Sequence, residues 1–170
     1  MRGVSKHIIR FILFVLAQGL IFGQLEFGVG IHIMIYPLFI LMLPFDMAAI
    51  PLLIIAFFTG VSIDFFMNTF GLHTSSAVLI AYFRPELYRL FSPRDGYDVL
   101  KEATAYELGY EWFLSVTGIT VFIHHLWFFT LEYFKLSEWF HILQKTFLSS
   151  LFTMAIFIII QIIFFKKERT

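Results

Sequence analysis

A single carboxylate, Asp64, stands inside a long apolar run, and it is the residue whose type and position first suggest chemistry. A charged side chain inside a membrane segment costs roughly 2.5–3.5 kcal/mol on insertion scales, so an intramembrane aspartate is a candidate functional residue by default. Gly60 precedes Asp64 by one helical turn, on the same face, where a glycine lets a neighbouring helix approach closely. The two residues together predict a close and polar helix contact.

Three polar residues in the last third of the chain are expected to reach the depth of Asp64. Counted inward from the ends of their apolar runs, His124, His125 and Lys145 all fall near this depth. The pattern predicts a buried polar cluster centred on Asp64, with Lys145 as its charge partner and a histidine next. Two interpretations stay open: the cluster holds helices together, or it lines a path for a ligand or a proton.

Other reactive chemistry finds little support in the sequence. His124 and His125 are adjacent, so on a helix they point about 100° apart, and the zinc-enzyme spacing HExxH is missing. The chain has no cysteine, which excludes disulfides, thiol catalysis and cysteine-based metal sites. Serines occur in the central helices, but no GxSxG elbow accompanies them. The sequence therefore predicts no enzyme, no metal site and no cofactor.

The composition identifies the solvent in which the chain folds. Hydrophobic residues make up 59% of the 170 residues and charged residues 14%, against roughly 25% charged residues in soluble domains. A soluble core of this size could not bury so much apolar surface. We therefore predict an all-α integral membrane protein with a single domain over residues 1–170. The only long polar segment, residues 92–111, carries two basic and five acidic residues, which argues against nucleic-acid binding.

Apolar runs predict six transmembrane helices in a compact bundle. The first begins near the N-terminus, ends at about Leu25 and is expected to remain uncleaved. The second is short for a hydrocarbon core of about 30 Å and is expected to be tilted, or extended by the flank before it. A tight break after Asn68 makes the third and fourth helices antiparallel neighbours. The second to sixth helices are predicted over residues 31–43, 51–68, 71–91, 112–133 and 139–165.

The distribution of lysine and arginine predicts the orientation. With a cytoplasmic N-terminus and six crossings, only Lys135 and Lys145 lie outside, and an odd number of crossings would remove this asymmetry. Both termini are therefore predicted to be cytoplasmic. The basic residues on the inner side would be Arg2, Lys6, Arg10, Arg84, Arg89, Arg94, Lys101, Lys166, Lys167 and Arg169.

Two further features suggest contact surfaces. Gly19 and Gly23 form a GxxxG motif on the first helix, which packs either within the bundle or against another subunit, so a homodimer stays open. Arg84 at the inner end of the fourth helix either snorkels to the membrane surface or belongs to a partner surface. That cytoplasmic surface would comprise Arg84, Pro85, Arg89, Arg94, Asp95 and Gly96.

The pattern G-x-x-x-D-x-(F/L) at the end of the third helix, followed by G-(L/M)-H-(T/A), resembles the MreD family of bacterial rod shape-determining membrane proteins. The run from Arg84-Pro85 through Ser-Pro-Arg-Asp-Gly-Tyr-Asp at residues 92–98 is similar to one branch of this family. The resemblance covers essentially the whole chain and is sharpest over residues 60–98. The residues that match in place are Gly60, Asp64, Phe66, Asn68, Gly71 and His73.

The resemblance implies a non-enzymatic scaffold of the peptidoglycan elongation machinery in the bacterial inner membrane. Its partners would be MreC, the glycosyltransferase RodA with its transpeptidase, and the MreB filament. MreD is thought to share its helical arrangement with the substrate-binding subunits of vitamin transporters, which are the alternative. Those subunits dock on partners through small residues of the first helix, where Gly19 and Gly23 stand here. A substrate subunit would bind a vitamin, whereas a scaffold would copurify with MreC.

Overall fold

The computed structural model describes residues 2–25 and 30–165, and within them the fold is helical with no strands. Two 3-10 turns, Phe22–Gln24 and Leu136–Glu138, accompany the α-helices. The predicted basic residues Lys166, Lys167 and Arg169 lie outside the described residues, as does the side chain of Arg2. The α-helices are α1 (Arg2–Leu20), α2 (Tyr36–Leu41), α3 (Ala49–Met67), α4 (Leu72–Leu90), α5 (Ala105–Leu108), α6 (Tyr110–Tyr133) and α7 (Trp139–Phe164).

Four of the helical stretches are long and apolar enough to cross a membrane: Val4–Gln24, Ala49–Met67, Tyr110–Tyr133 and Trp139–Phe164. Large hydrophobic side chains are exposed along their outer faces, as lipid requires and water disfavours. The helical membrane-protein class is thereby supported. Helix α4 is as long as α3 but carries three charged residues in its second half, and it is not among the four.

The predicted second membrane helix has a different form. Residues 31–43, which we call the buried segment, are helical only over Tyr36–Leu41. All of them except the partly exposed His32 are buried. This short helix begins only at Tyr36, because proline is favoured in the first turn of a helix and Pro37 lies there. The prediction of one continuous helix through residues 31–43 was therefore wrong.

Polar side chains of two neighbouring helices satisfy the non-helical part of the buried segment. Irregular backbone at membrane depth is tolerated only where protein groups replace water. A glutamine of α1 and two hydroxyls of α7 supply these groups here. Gln18 Nε2 donates to Ile33 O (3.1 Å), Ile35 N donates to Gln18 Oε1 (2.6 Å), His32 N donates to Ser149 Oγ (3.1 Å), and Met34 N donates to Thr153 Oγ1 (3.2 Å).

Contacts between helix ends define two ends of the bundle. At one end, which we call the Asp64 end, Gly19 in the last turn of α1 faces Phe66 in the last turn of α3. At the other, the Arg84 end, Arg84 near the end of α4 contacts Leu43, and Glu102 contacts the start of α1. Helix α3 packs mainly on α4, and α6 packs on both α4 and α7. The buried segment lies among them and runs antiparallel to α1.

Candidate functional site

The carboxylate of Asp64 lies in the last turn of α3 and accepts four hydrogen bonds. Oδ1 accepts from Thr69 Oγ1 (2.6 Å) and from the backbone N–H of His73 (3.0 Å). Oδ2 accepts from the backbone N–H of Thr74 (2.9 Å) and from its hydroxyl. A carboxylate offers about four lone-pair sites. All of them are therefore occupied by groups of the turn and of the first turn of α4.

Through these hydrogen bonds Asp64, a residue of α3, caps the N-terminus of α4. Gly71, at the N-cap position of α4, provides no side-chain cap. The carboxylate of Asp64 replaces it, and a negative charge at a helix N-terminus is stabilised by the helix dipole. The carbonyl of Asp64 also accepts from the amides of Asn68 and Thr69, which ends α3. One residue therefore joins the end of α3 to the start of α4.

Gly60 allows α4 to approach α3 closely enough for this contact. A Cβ added at Gly60 would overlap the Cα of Thr74 and lie 2.7 Å from its backbone nitrogen and 2.9 Å from His73 O. Because these are backbone atoms, no rotamer change could relieve the clash. Gly60, Asp64 and the start of α4 thus form one structural unit, which we call the Asp64 hairpin and which spans residues 60–75.

The predicted ion pair between Asp64 and Lys145 is wrong. Lys145 Nζ lies 3.2 Å from Glu132 Oε2 and stacks over the rings of Phe129 and Tyr133, 4.9 and 5.0 Å from their centroids. Depth along a helix can be counted from sequence, but the face a side chain takes depends on packing. The donors of the turn leave Asp64 no site for an ammonium group.

A fully buried tyrosine links two histidines beside the hairpin. The hydroxyl of Tyr36 hydrogen-bonds to His124 Nε2 and lies 3.2 Å from His73 Nδ1. His73 is the residue whose backbone N–H binds Asp64. The predicted histidine neighbour of Asp64 is therefore reached only through His73 and Tyr36. Sequence reasoning missed Tyr36, although a tyrosine just before a proline in an apolar run was a visible signal.

His125 faces away from this array. Its Nδ1 donates to Val121 O (2.8 Å), so the neutral ring presents Nε2 as an acceptor to Thr153 Oγ1 at 3.4 Å. No group of three or more potential ligands that could hold a metal ion is found in the described part of the chain. The two adjacent histidines thus belong to separate polar contacts, one toward the buried segment and one toward α7.

The Tyr36 array leaves two ring nitrogens unpaired. His73 Nε2 and His124 Nδ1 are buried and have no hydrogen-bond partner among the described residues. The Tyr36 hydroxyl has one proton, which can go to His124 Nε2, to His73 Nδ1 or to the carbonyl of His73 at 3.4 Å. In each arrangement the outer nitrogen of both rings stays unpaired, so the array is a tightly packed polar contact that is not fully satisfied.

Arg84 is an interior residue. It is 2% exposed, and its Nη2 donates to the carbonyls of Leu41 (3.4 Å), Leu43 and Pro44 (3.0 Å) at the C-terminal end of α2. The guanidinium lies 4.6 Å from the centroid of the Tyr88 ring. A cation is favoured at a helix C-terminus. Assigning Arg84 to the partner surface, or to a snorkelling position, was therefore wrong.

Replacing Arg84 with lysine should destabilise the fold although the charge is kept. The ammonium cannot reproduce the planar contact of the guanidinium with the Tyr88 ring, and the different side chain would have to place its nitrogen where Nη2 now reaches the carbonyls. We expect a loss of about 1–3 kcal/mol, the usual cost of leaving buried polar groups without partners. Thermal unfolding in detergent measures it. Arg89→Lys is the matched control because Arg89 is exposed and pairs only with Glu86, and an equal loss in both variants would contradict the assignment.

The remaining predicted surface residues lie at the Arg84 end. Pro85, Arg89, Arg94, Asp95 and Gly96 are all exposed, and Gly96 adopts a positive φ of 77° in its turn. This loop is held from one side by Tyr97, whose ring stacks on Phe45 at 4.5 Å and whose hydroxyl donates to Tyr88 O. The contacts of Tyr97 with Phe45 and Tyr88 therefore hold the exposed turn in place.

A second anchor of this loop is an ion cluster that sequence reasoning missed. Glu102 accepts two hydrogen bonds from Arg10, at 3.0 and 2.8 Å, and lies 2.5 Å from Lys6 Nζ. Burial alone would raise the pKa of Glu102, but the hydrogen bonds and charges of Arg10 and Lys6 outweigh it and hold the pKa below its usual value. The partners are 92 positions apart in sequence, so no local pattern could reveal them.

Acid should remove the contribution of Glu102 to the folding stability of the protein. The lowered pKa means that this contribution is complete above the ordinary glutamate pKa of about 4.3 and is lost as the pH falls through the lower pKa of the folded state. We expect wild type to melt at a higher temperature than Glu102→Gln at pH 7, and the difference between the two melting temperatures to shrink as the pH falls below about 4.3. Melting both proteins across this range checks it, because other titrating groups affect both alike. A constant difference would contradict it.

Gly19 lies in α1, Gly23 lies in the 3-10 turn that follows it and Gly71 precedes α4, and their surroundings differ. A Cβ at Gly19 would lie 2.7 Å from Cβ and Cγ of Phe66, and one at Gly23 would lie 2.9 Å from Sδ of Met67. The GxxxG face therefore packs on α3 within the chain. Gly71 adopts a φ of 96° with nothing within 4 Å of an added Cβ, so only its backbone conformation requires glycine.

An open apolar groove of about 780 Å³ runs along α3 and α4 on the outside of the bundle. Its walls come from these two helices and from Trp127 of α6, and Asp64 and Gly71 lie at one end.

Comparisons of the chain with protein-family models, with curated proteins and with solved structures find no match.

Proposed function

We propose that this chain is a non-enzymatic scaffold subunit of the bacterial peptidoglycan elongation machinery, of the MreD kind. The observation that carries the proposal is that the residues matching in place over 60–73 lie together in one structural unit. Gly60, Asp64, Gly71 and His73 are all parts of the Asp64 hairpin, and three of them have a physical task there. A chance match of apolar helices would not concentrate on residues that act together.

The proposal includes six membrane crossings in the inner membrane, with both termini cytoplasmic. Besides the four long apolar helices, α4 and the buried segment run between the Asp64 end and the Arg84 end. The buried segment reaches from Gln18 near the end of α1 to the carbonyls that bind Arg84. The Arg84 end, which holds Lys6, Arg10, Arg89 and Arg94, would be cytoplasmic under the positive-inside rule.

As a scaffold the protein would act by holding partners in a fixed arrangement. The apolar groove along α3 and α4 offers a lipid-facing surface for a membrane helix of MreC, RodA or the transpeptidase partner of RodA. The exposed turn of Arg94, Asp95 and Gly96 would face the cytoplasm, where the MreB filament lies. Nothing in this mechanism requires a reaction. The Asp64 hairpin supports it by fixing α3 against α4, the two helices that form the groove.

Complementation tests the proposal. The chain is expressed in a rod-shaped bacterium depleted of its own MreD, and cell shape and copurification with MreC and with MreB are measured. We expect wild type to restore rods and to retain MreC in mild detergent. We expect the double variant Arg94→Ala/Asp95→Ala, which keeps Gly96 at its positive φ, to fold normally but to retain less MreB. A well-folded protein that restores no shape and binds no MreC would refute the proposal.

The alternative, a vitamin-transporter subunit, has less support. At the Asp64 end, the large groove along α3 and α4 is open on the outside of the bundle. The pocket beside Gly30 and Lys145 measures about 190 Å³, below the roughly 300–1,000 Å³ of small-molecule sites. Gly19 and Gly23, which such subunits would use for docking, face α3 instead. Mass spectrometry of small molecules that copurify with the chain distinguishes the two functions, since a transporter subunit would retain its vitamin.

A further inference from the structure

We infer that His124 and His125 make the junction of α6 with α7 and the buried segment sensitive to acid. This histidine junction, formed by His124, His125, Tyr36 and Thr153, stays closed while both rings are neutral and opens when they take up protons. The conformational change goes beyond the proposed function and needs none of its partners. It follows from the contacts of the two rings, from the charges around them and from how the buried segment is held.

Each ring ties α6 to another element through a hydrogen bond. His124 Nε2 bonds to the hydroxyl of Tyr36 in the buried segment. His125 Nε2 faces Thr153 Oγ1 of α7 at 3.4 Å. Because Thr153 Oγ1 already accepts from the amide of Met34 at 3.2 Å, its own proton is free to point to His125. A proton added to His125 Nε2 would therefore displace that hydroxyl and disturb the bond that holds the buried segment on α7.

A charge on either ring would be shielded from water and close to further imidazoles. Both rings are fully buried, and their centroids are 5.2 Å apart. His73 of α4 is a titratable neighbour of His124, and His32 of the buried segment is one of His125. A buried charge without a partner is costly, so the two rings are neutral in the closed junction.

The charged groups nearby do not offset a charge on the α6 pair. The carboxylate of Asp64 interacts with His73, and its lone-pair sites are taken by groups of the turn and of α4. The ammonium of Lys145 lies over the ring of Phe129, which also packs on His125 at 6.0 Å, so it adds a like charge. The side chains of α1 and α7 that bind the buried segment are uncharged: Gln18, Ser149 and Thr153.

Opening of the junction is therefore coupled to proton uptake. Histidine in water takes up a proton near pH 6.5, which the two rings can do only in the open state. Each such ring raises the ratio of open to closed protein by up to about tenfold per pH unit below this value. The buried segment is the element that moves, because side chains and not helical hydrogen bonds hold its residues 31–35.

Thiol reactivity tests the inference on the full chain in mild detergent, since the chain has no native cysteine. Met34→Cys places a thiol at a position that is 1% exposed, and Asp95→Cys, in the exposed turn at the Arg84 end, reports the reactivity of a free thiol. The ratio of their rates with a neutral maleimide, measured from pH 7 to pH 5, gives the open fraction and cancels the titration of the thiol itself. Ile33→Cys replaces Met34→Cys if that variant does not accumulate.

The pH range separates the histidines from the carboxylates. Aspartate and glutamate ordinarily titrate near pH 4, so Asp64 and Glu102 keep their charge throughout. His125→Gln removes one titrating ring while an amide oxygen can still accept from Thr153, and His124→Gln/His125→Gln removes both. His141→Gln is the matched control, because His141 is exposed and pairs with Glu138.

We expect the rate ratio to rise about tenfold or more between pH 7 and pH 5. The rise should be smaller in His125→Gln, smallest in the double variant and unchanged in His141→Gln. A ratio that stays constant over this range, or an equal rise in His125→Gln and His141→Gln, would overturn the acid-sensitive junction. A chain that shows the rise but restores no cell shape would refute the proposed function and leave the junction intact.

Discussion

Gly60→Ala should cost more stability than any other single-methyl substitution in the described bundle. The new Cβ would overlap the Cα of Thr74, so α3 and α4 would have to separate. Overpacking against side chains typically costs about 1–3 kcal/mol, and here the obstacle is backbone. We therefore expect a loss of at least about 3 kcal/mol and a strong fall in the yield of monodisperse protein. Thermal unfolding followed by size-exclusion chromatography measures both.

Gly118→Ala is the matched control for this prediction. Gly118 lies in the interior of α6, and nothing stands within 4 Å of an added Cβ. Alanine is favoured over glycine in a helix by roughly 1 kcal/mol, so this variant should be as stable as wild type or slightly more stable. If Gly60→Ala and Gly118→Ala unfold at the same temperature, the close approach of α3 and α4 is not what Gly60 provides.

The sequence predicts those parts of the fold that depend on local patterns. The long apolar helices follow from hydropathy, and the break between α3 and α4 follows from Asn68 and Gly71, both of which adopt positive φ. The form of the buried segment could not be predicted in this way. The non-helical part of its backbone is satisfied by Gln18, Ser149 and Thr153, which are distant in sequence. The apolar run alone therefore indicated a continuous helix, of which the structure contains only Tyr36–Leu41.

The charges show the same limit. Asp64 and Arg84 stand out in the sequence because charges are costly inside a membrane, and oppositely charged side chains are the first partners one considers. The structure gives each charge a helix terminus instead: amides of α4 for Asp64 and carbonyls after α2 for Arg84. Backbone partners cannot be recognised from residue types. Sequence reasoning therefore found both charged residues, but it gave Asp64 the wrong partner and placed Arg84 at the surface.

Asp64→Ala should remove the N-cap of α4 and destabilise the whole hairpin. Two backbone amides and the hydroxyls of Thr69 and Thr74 would lose their acceptor. Each buried donor without an acceptor costs roughly 1–3 kcal/mol, so a loss of several kcal/mol is expected. Asp64→Asn keeps one carbonyl oxygen and should lose about half as much. Chemical or thermal unfolding in detergent ranks the three proteins, and equal stability of Asp64→Ala and wild type would contradict the capping role.

Double-mutant cycles identify the partners that carry this loss. Asp64→Ala combined with Thr69→Ala should be less destabilising than the sum of the single variants, because both remove the same hydrogen bond, and coupling of about 1 kcal/mol is expected for residues in contact. Asp64→Ala combined with Lys145→Met should be additive, since Lys145 pairs with Glu132. Strong coupling between Asp64 and Lys145, together with additivity between Asp64 and Thr69, would contradict the capping role of Asp64 and would support an ion pair between Asp64 and Lys145.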